Sequence, residues 1–294
     1  MALASRLVKP ASQGLVHLTV LRRERLSPHW MRITFGGGEI ERFEAMGYDQ
    51  WFRLFLPLGG DEGLERLPAK ANKMFGYLRY LRIPDGVRPV MRNYTVRTYR
   101  PATPDSGPEI DIDFVLHGSA AEGTAGPASR WAETCEPGES VVIIDEGLAF
   151  NPERGVDRVL LVADETGLPA VAGICASLPA HAEGLVIVEV PEAADAIAFD
   201  HPKGIEIRWI VRDPAAKPGE PALAALRALT DSELPTAPFH AYIVGEQALP
   251  TEARRHLVAD RGVAKDHISF CGYWRVGAAS PTPKSQLADA EAHA

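Results

Sequence analysis

Hydrophobic and polar residues alternate through the first half of the chain and gather into short apolar blocks in the second. In Met31-Arg-Ile-Thr-Phe35 every second residue is apolar. Glu109–His117 repeats the pattern, with Ile110, Ile112, Phe114 and Leu116 on one side and Asp111, Asp113 and His117 on the other. A period of two turns one face of a strand to a core and the other to water. Leu15–Leu21, Trp51–Leu56, Arg92–Tyr99 and Ser140–Asp145 bring the strands to six, separated by turn-formers such as Gly36-Gly-Gly38, Pro101 to Pro108 and Pro137-Gly138. Short strands punctuated in this way predict a small antiparallel barrel. Leu64 to Val87 reads as an inserted loop with a short helix.

The rhythm changes near Asn151-Pro-Glu-Arg-Gly155. Beyond it Arg158–Ala163, Leu185–Val190, Ile205–Val211, Phe239–Val244 and His267–Cys271 are strand-like. They alternate with helical stretches at about Leu168–Leu178, Leu223–Leu229 and Thr251–Asp260. Strands alternating with helices predict βαβ units around a parallel sheet. The fold class is therefore two-domain: an antiparallel β-barrel over 1–152, an α/β domain with a parallel sheet over 153–277, and a loose Ala-, Ser- and Pro-rich tail over 278–294.

Composition narrows the chemistry. A net charge of -8 argues against nucleic acid as a partner. No apolar run approaches the roughly 20 residues of a spanning helix, and Arg6, Lys9 and His17 interrupt the N-terminus where a signal peptide would be continuous. These features predict a cytoplasmic protein without stable membrane insertion. Cys135, Cys175 and Cys271 are too scattered for a disulfide framework or an iron–sulfur cluster, and no HExxH or paired His marks a metal site. Redox chemistry, if present, needs an organic cofactor. The charge is uneven, however: between Glu65 and Arg100 nine basic residues stand against two acidic ones, a basic island that suits an anionic ligand.

Two stretches carry candidate chemistry. On a strand, Arg92, Tyr94 and Val96 share one face while Asn93, Thr95 and Arg97 share the other. Together they offer the aromatic surface, hydroxyl and cation that a flavin nucleotide needs. The second stretch, His117-Gly-Ser-Ala-Ala-Glu-Gly-Thr-Ala-Gly-Pro-Ala-Ser-Arg-Trp131, leaves a strand, passes three glycines and enters a short helix. Backbone N–H groups at such a helix start suit a pyrophosphate.

Arg92-x-Tyr-Thr95 resembles the flavin motif of the ferredoxin-reductase-like superfamily. With Asp113-Phe-Val-Leu-His-Gly118, Gly126-Pro-Ala-Ser-x-Trp-Ala132, Asp164-Glu-Thr-x-Leu-Pro-Ala170 and Gly272-Tyr-Trp-Arg-x-Gly277, the chain is similar to the siderophore-interacting proteins. These are cytoplasmic, FAD-dependent reductases of ferric siderophores. The motifs follow family order across roughly residues 15 to 277.

The resemblance implies that Arg92, Tyr94, Thr95 and Val96 hold the flavin and its ribityl–phosphate chain. Asp113, Val115 and His117 would line the cofactor further along, and Gly126, Ala128 and Ser129 would meet its pyrophosphate. Asp164, Glu165 and Thr166, with Gly245 and Glu246 after a later strand, would mark a nicotinamide cleft where open α/β sheets bind ligands. Tyr273 or Trp274 would border the flavin, Trp274 being the residue assigned to it. Cys271 is expected to be a small packed residue. Glu189 and Glu192 could bond a ribose diol and would repel a 2′-phosphate, which favours NADH over NADPH. Reduced ferredoxin is a third donor used in the family. Arg53, Lys265 and Arg275 are the residues expected to meet an anionic ferric siderophore, the stretch 251–275 holding five basic residues against three acidic ones. Trp51 stands where relatives tend to have His, and Arg53 where they often have Lys. Two other functions fit the same fold: a general flavin-dependent electron transferase or flavin reductase, and a siderophore-binding protein without reductase activity.

Overall fold

The structure, a computed structural model, describes residues 7–12, 14–57, 60–69, 74–118, 125–153 and 155–278. The predicted tail, apart from residue 278, lies outside them, as do residues 119–124 of the glycine-rich stretch. The chain divides into two compact units. Of the described residues, one unit holds those up to 46 and 50–148; the other holds 47–49 and 149–278.

The first unit is an antiparallel sheet of seven strands: β1 (Leu15–Ser27), β2 (Trp30–Gly36), β3 (Trp51–Leu56), β4 (Val90–Thr95), β5 (Thr98–Arg100), β6 (Glu109–Val115) and β7 (Ser140–Gly147). Their order across the sheet is β4-β3-β7-β1-β2-β6-β5. The alternation seen in the sequence sets the inner face: Leu18, Ile33, Phe35, Phe52, Leu54, Ile110, Ile112 and Phe114 form one buried core. The strand expected over Arg92–Tyr99 is interrupted, which makes seven strands of six. The N–H of Val96 donates to the Gln50 carbonyl at 2.8 Å and that of Arg97 to the Asp111 carbonyl at 2.9 Å. The chain thus leaves one sheet edge and joins the other within two residues, too few to continue a single ladder. Strands β4 and β5 are not hydrogen-bonded to each other, so the sheet curls without closing.

Strand β1 runs further than its apolar pattern. Its last turn-ward residues are charged, and ion pairs replace burial there: Arg22 to Glu109 at 2.7 Å and Arg25 to Glu133 at 2.7 Å. The insertion between β3 and β4 carries two short helices, α1 (Glu62–Glu65) and α2 (Met74–Tyr80), where one was expected. Helix α3 (Pro127–Thr134) packs on β2, β4 and β6. An aromatic row ties it there: Tyr94 to Phe114 with centroids 4.3 Å apart, and Phe114 to Trp131 at 5.8 Å.

The second unit is a wholly parallel five-stranded sheet, β8 (Arg158–Ala163), β9 (Glu183–Val190), β10 (Gly204–Val211), β11 (His240–Glu246) and β12 (Ile268–Trp274), in the order β10-β9-β8-β11-β12. Helices α4 (Leu168–Ser177), α5 (Glu220–Arg227) and α6 (Ala248–Ala259) make the crossovers. The central strands β9, β8 and β11 are buried on both faces, which explains why they read as apolar runs, whereas the edge strands β10 and β12 are only partly buried. Gly47–Asp49, early in the chain, belongs here. Buried Asp49 accepts the N–H of Phe150 at 2.9 Å and the hydroxyl of Tyr242 at 2.9 Å. Tyr48 reaches a φ of 51° with its N–H donating to Ser177 Oγ at 2.7 Å. Among the described residues no helix is long and apolar enough to cross a membrane.

Phe114 joins the inner core to the aromatic row. Phe114→Ala is expected to destabilise the first unit by about 3–5 kcal/mol, measured by denaturant unfolding followed through tryptophan emission.

Candidate functional site

In the first unit the inner face of β4 presents Val90, Arg92 and Tyr94, opposite Leu56, Leu54 and Phe52 of β3. Arg92 is half-buried, donates to the Met91 carbonyl at 2.8 Å, and has no carboxylate partner among the described residues. Burial lowers its pKa, the mark of a cation held from water without a counter-charge. Tyr94 beside it is half-buried against Phe114, its phenol pushed upward by burial. Helix α3 begins at Gly126, whose φ of -65° and ψ of 162° are extended and whose side-chain position has nothing within 4 Å. No side chain caps this helix, and Ala128 follows without bulk. A half-buried cation, an aromatic face and an uncapped helix start with open space beside it fit a dinucleotide flavin.

The other residues expected there divide. Val96 is buried in the inner core at the step between sheet edges. Thr95 is buried on the opposite face of β4 from Tyr94, so its hydroxyl does not join that surface. Asp113 lies on the outer face, where Arg32 clamps its carboxylate at 2.7 and 2.8 Å and Arg97 stands at 3.6 Å. Its side chain braces β2 against β6. Ser129 Oγ accepts the N–H of exposed His117 at 3.2 Å and donates to the Val115 carbonyl at 3.4 Å, so it fastens α3 to the end of β6.

In the second unit the carboxyl ends of β8, β9 and β11 carry buried carboxylates. Asp164, fully buried, accepts four hydrogen bonds: Thr166 N–H at 2.9 Å, Thr166 Oγ1 at 2.6 Å, Glu246 N–H at 2.6 Å and Trp274 Nε1 at 3.0 Å. Burial and the neighbouring Glu165 charge outweigh these donors and push its carboxyl up to about 7. Gly245 makes the approach possible: at a φ of +136°, any Cβ would stand 2.6 Å from the Asp164 carboxyl carbon. Glu165 is held by both terminal nitrogens of Arg212 at 2.8 and 2.9 Å. The same guanidinium reaches Glu189 at 2.6 Å, and Glu189 also accepts the N–H groups of Gly219 at 2.9 Å and Ala222 at 3.0 Å. Glu246 accepts the Ala248 N–H at 2.6 Å. Asp164, Glu165, Thr166, Gly245, Glu246 and Trp274 are thus brought together, and their carboxylates are engaged by the fold itself.

Residues 19–149 match the siderophore-interacting FAD-binding domain, and residues 156–277 match the siderophore-interacting protein family. The uncharacterized protein Rv2895c of Mycobacterium tuberculosis is 30% identical over 96% of this chain and 99% of its own length. The chain belongs to the siderophore-interacting protein family. Ferric vibriobactin reductase ViuB of Vibrio cholerae is 28% identical over 88% of this chain and 89% of its own. A siderophore utilization protein from T. fusca superposes with a TM-score of 0.73 at 27% identity, covering 94% of this chain and 98% of the other.

Within this siderophore-interacting protein, several expectations change. Glu189 is fully consumed by Arg212 and two backbone N–H groups, and Glu192 caps the turn after β9. These acids therefore give no preference for NADH over NADPH. Cys271 is exposed, not packed. Lys265 and Arg275, expected at one substrate site, lie beyond opposite ends of β12. A seven-residue strand at about 3.3 Å per residue holds them roughly 20 Å or more apart. Arg53 is 1% exposed and paired with buried Glu146 at 2.7 Å, on the outer face of β3, so a bound anion does not reach it from solvent. Arg275 is exposed just past the carboxyl end of β12.

Sequence reading missed Arg212, Glu189's structural role, Arg32 and Asp49. Each becomes meaningful only through partners 20 or more residues away, and their one sequence signal is a charge inside or beside an apolar strand.

Arg212→Ala leaves Glu165 and Glu189 buried without their cation, and is expected to destabilise the second unit by about 3–5 kcal/mol in denaturant unfolding. Asp164 yields a pH prediction. Its folded pKa of about 7 stands above the unfolded value, about 3.9. The folded form then holds the extra proton between these values, so its stability contribution is complete below the unfolded pKa and lost as pH rises through 7. Because Trp274 Nε1 donates to this carboxylate, tryptophan emission is expected to titrate near pH 7. The step should vanish in Trp274→Phe; a step that persists there belongs to another group.

Proposed function

We propose that this protein reduces ferric siderophores in the cytoplasm, using FAD held on the antiparallel unit and electrons from a nicotinamide dinucleotide met at the carboxyl edge of the parallel sheet. The observation that carries the reading is Arg92: a half-buried arginine without a carboxylate partner among the described residues, beside Tyr94 on β4, the strand against which the uncapped helix α3 packs. Such a cation completes its charge balance with a phosphate. The kinship with a ferric vibriobactin reductase supports the substrate class.

When bound, FAD would accept an electron pair and release electrons singly, as the step from a two-electron donor to ferric iron requires. The chain's own work is positioning. Arg92 would offset phosphate charge, Tyr94 would give a flat apolar surface, and the first N–H groups of α3 would serve the pyrophosphate. In the parallel unit, Asp164 holds the Thr166 turn, the end of β11 and the Trp274 indole in one arrangement. No side chain need act as nucleophile or general acid. The substrate carries its own iron ligands, and lowering the iron's oxidation state weakens the chelate and releases the metal.

With Glu189 and Glu192 engaged, no free buried carboxylate at the end of β9 is left to reject a 2′-phosphate. We therefore assign the donor as a nicotinamide dinucleotide without a preference between NADH and NADPH. Arg275 is the residue we assign to the anionic substrate.

Arg92→Ala is expected to weaken FAD binding at least about tenfold, equivalent to about 1.4 kcal/mol, in a fluorescence titration; unchanged affinity would remove the residue on which the reading stands. Anaerobic mixing of the flavin-loaded protein should bleach the flavin band with either nucleotide. Bleaching by reduced ferredoxin alone would overturn the assignment of the donor.

A further inference from the structure

Helix α2 belongs to an insertion on the first unit that the redox chemistry does not use. Its inner side is firmly packed: Tyr77, Tyr80, Leu64, Leu67 and Ile83 form a small core with Phe55 and Met91 on the outer face of the sheet. Tyr80 donates to the Pro89 carbonyl at 2.9 Å, and Arg88 lies over its ring. The helix is therefore a fixed platform.

Its outer side is unlike a solvated surface. Phe75 is 83% exposed, Leu78 43% and Leu81 38%, and these are three of the six large apolar side chains exposed among the described residues. Positions 75, 78 and 79 share one face of α2, so Phe75 and Leu78 lie beside Arg79, and Arg82 follows in the turn just past the helix. Arg79 and Arg82 form no ion pair among the described residues, whereas nearby Arg88 pairs with Asp85. The surrounding sequence is the basic island of an otherwise acidic protein.

Protruding apolar side chains adjoining unpaired arginines match the boundary of an anionic bilayer, where the former enter the acyl region and the latter stay among the headgroups. An acidic protein surface would answer the arginines but set Phe75 and Leu78 against charge. We propose that the outer face of α2 docks this protein reversibly on anionic lipid membranes, an interaction independent of the reductase reading.

The test is flotation of the full-length protein with vesicles of phosphatidylcholine alone and of phosphatidylcholine mixed with phosphatidylglycerol. Binding is expected with the mixed vesicles only, and to be released by salt. Phe75→Ser with Leu78→Ser, and separately Arg79→Glu with Arg82→Glu, should each weaken it at least about tenfold. All four residues are exposed, so circular dichroism should be unchanged; if one pair fails to fold, the other decides. Equal binding to both vesicle types, or binding indifferent to the folded variants, would overturn the proposal. So would absent vesicle binding together with capture of reduced ferredoxin that either pair abolishes.

Discussion

A carboxylate taken out of water must find donors or a cation, and the parallel unit is organised around meeting that demand at one edge. Asp164, Glu165, Glu189 and Glu246 are all buried where β8, β9 and β11 end. Arg212 neutralises two of them, backbone N–H groups and the Trp274 indole serve the others, and Gly245 leaves the space in which Asp164 sits. The loops after three strands, the start of α5 and the end of β12 are thereby fixed to a few oxygen atoms. The shape of this edge is thus set by the chain's own donors and acceptors.

The antiparallel unit solves a different problem. Its curled sheet stops short of closure between β4 and β5, and α3 packs against β2, β4 and β6, held by the row from Tyr94 through Phe114 to Trp131. Charges on the outer face are paired across strands: Arg32 with Asp113, and Arg100 with Asp111 and Glu109. On the inner face Arg92 has no such partner among the described residues. That contrast within one sheet is the basis of the phosphate-binding role proposed for Arg92.

The architecture was legible because alternation and apolar runs report burial directly. All five parallel strands and the α4 and α6 helices lie within a few residues of where the pattern puts them. The break at Val96-Arg97 was invisible, since it depends on hydrogen bonds to Gln50 and Asp111 in other strands. Motifs single out Arg92, Tyr94 and the α3 start, but they do not tell which polar side chains the fold keeps for itself. Asp113, Ser129 and Glu189 have the residue types of a binding site, and their register gives them structural partners. Lys265 and Arg275 looked adjacent by charge alone, and a strand separates them.

The most direct measurement is the appearance of ferrous iron, followed with a coloured trap, when the FAD-loaded protein is first reduced anaerobically and then mixed with a ferric siderophore. The account predicts that the flavin band returns as trapped ferrous iron accumulates. Tight siderophore binding with the flavin still reduced and no ferrous iron would contradict it.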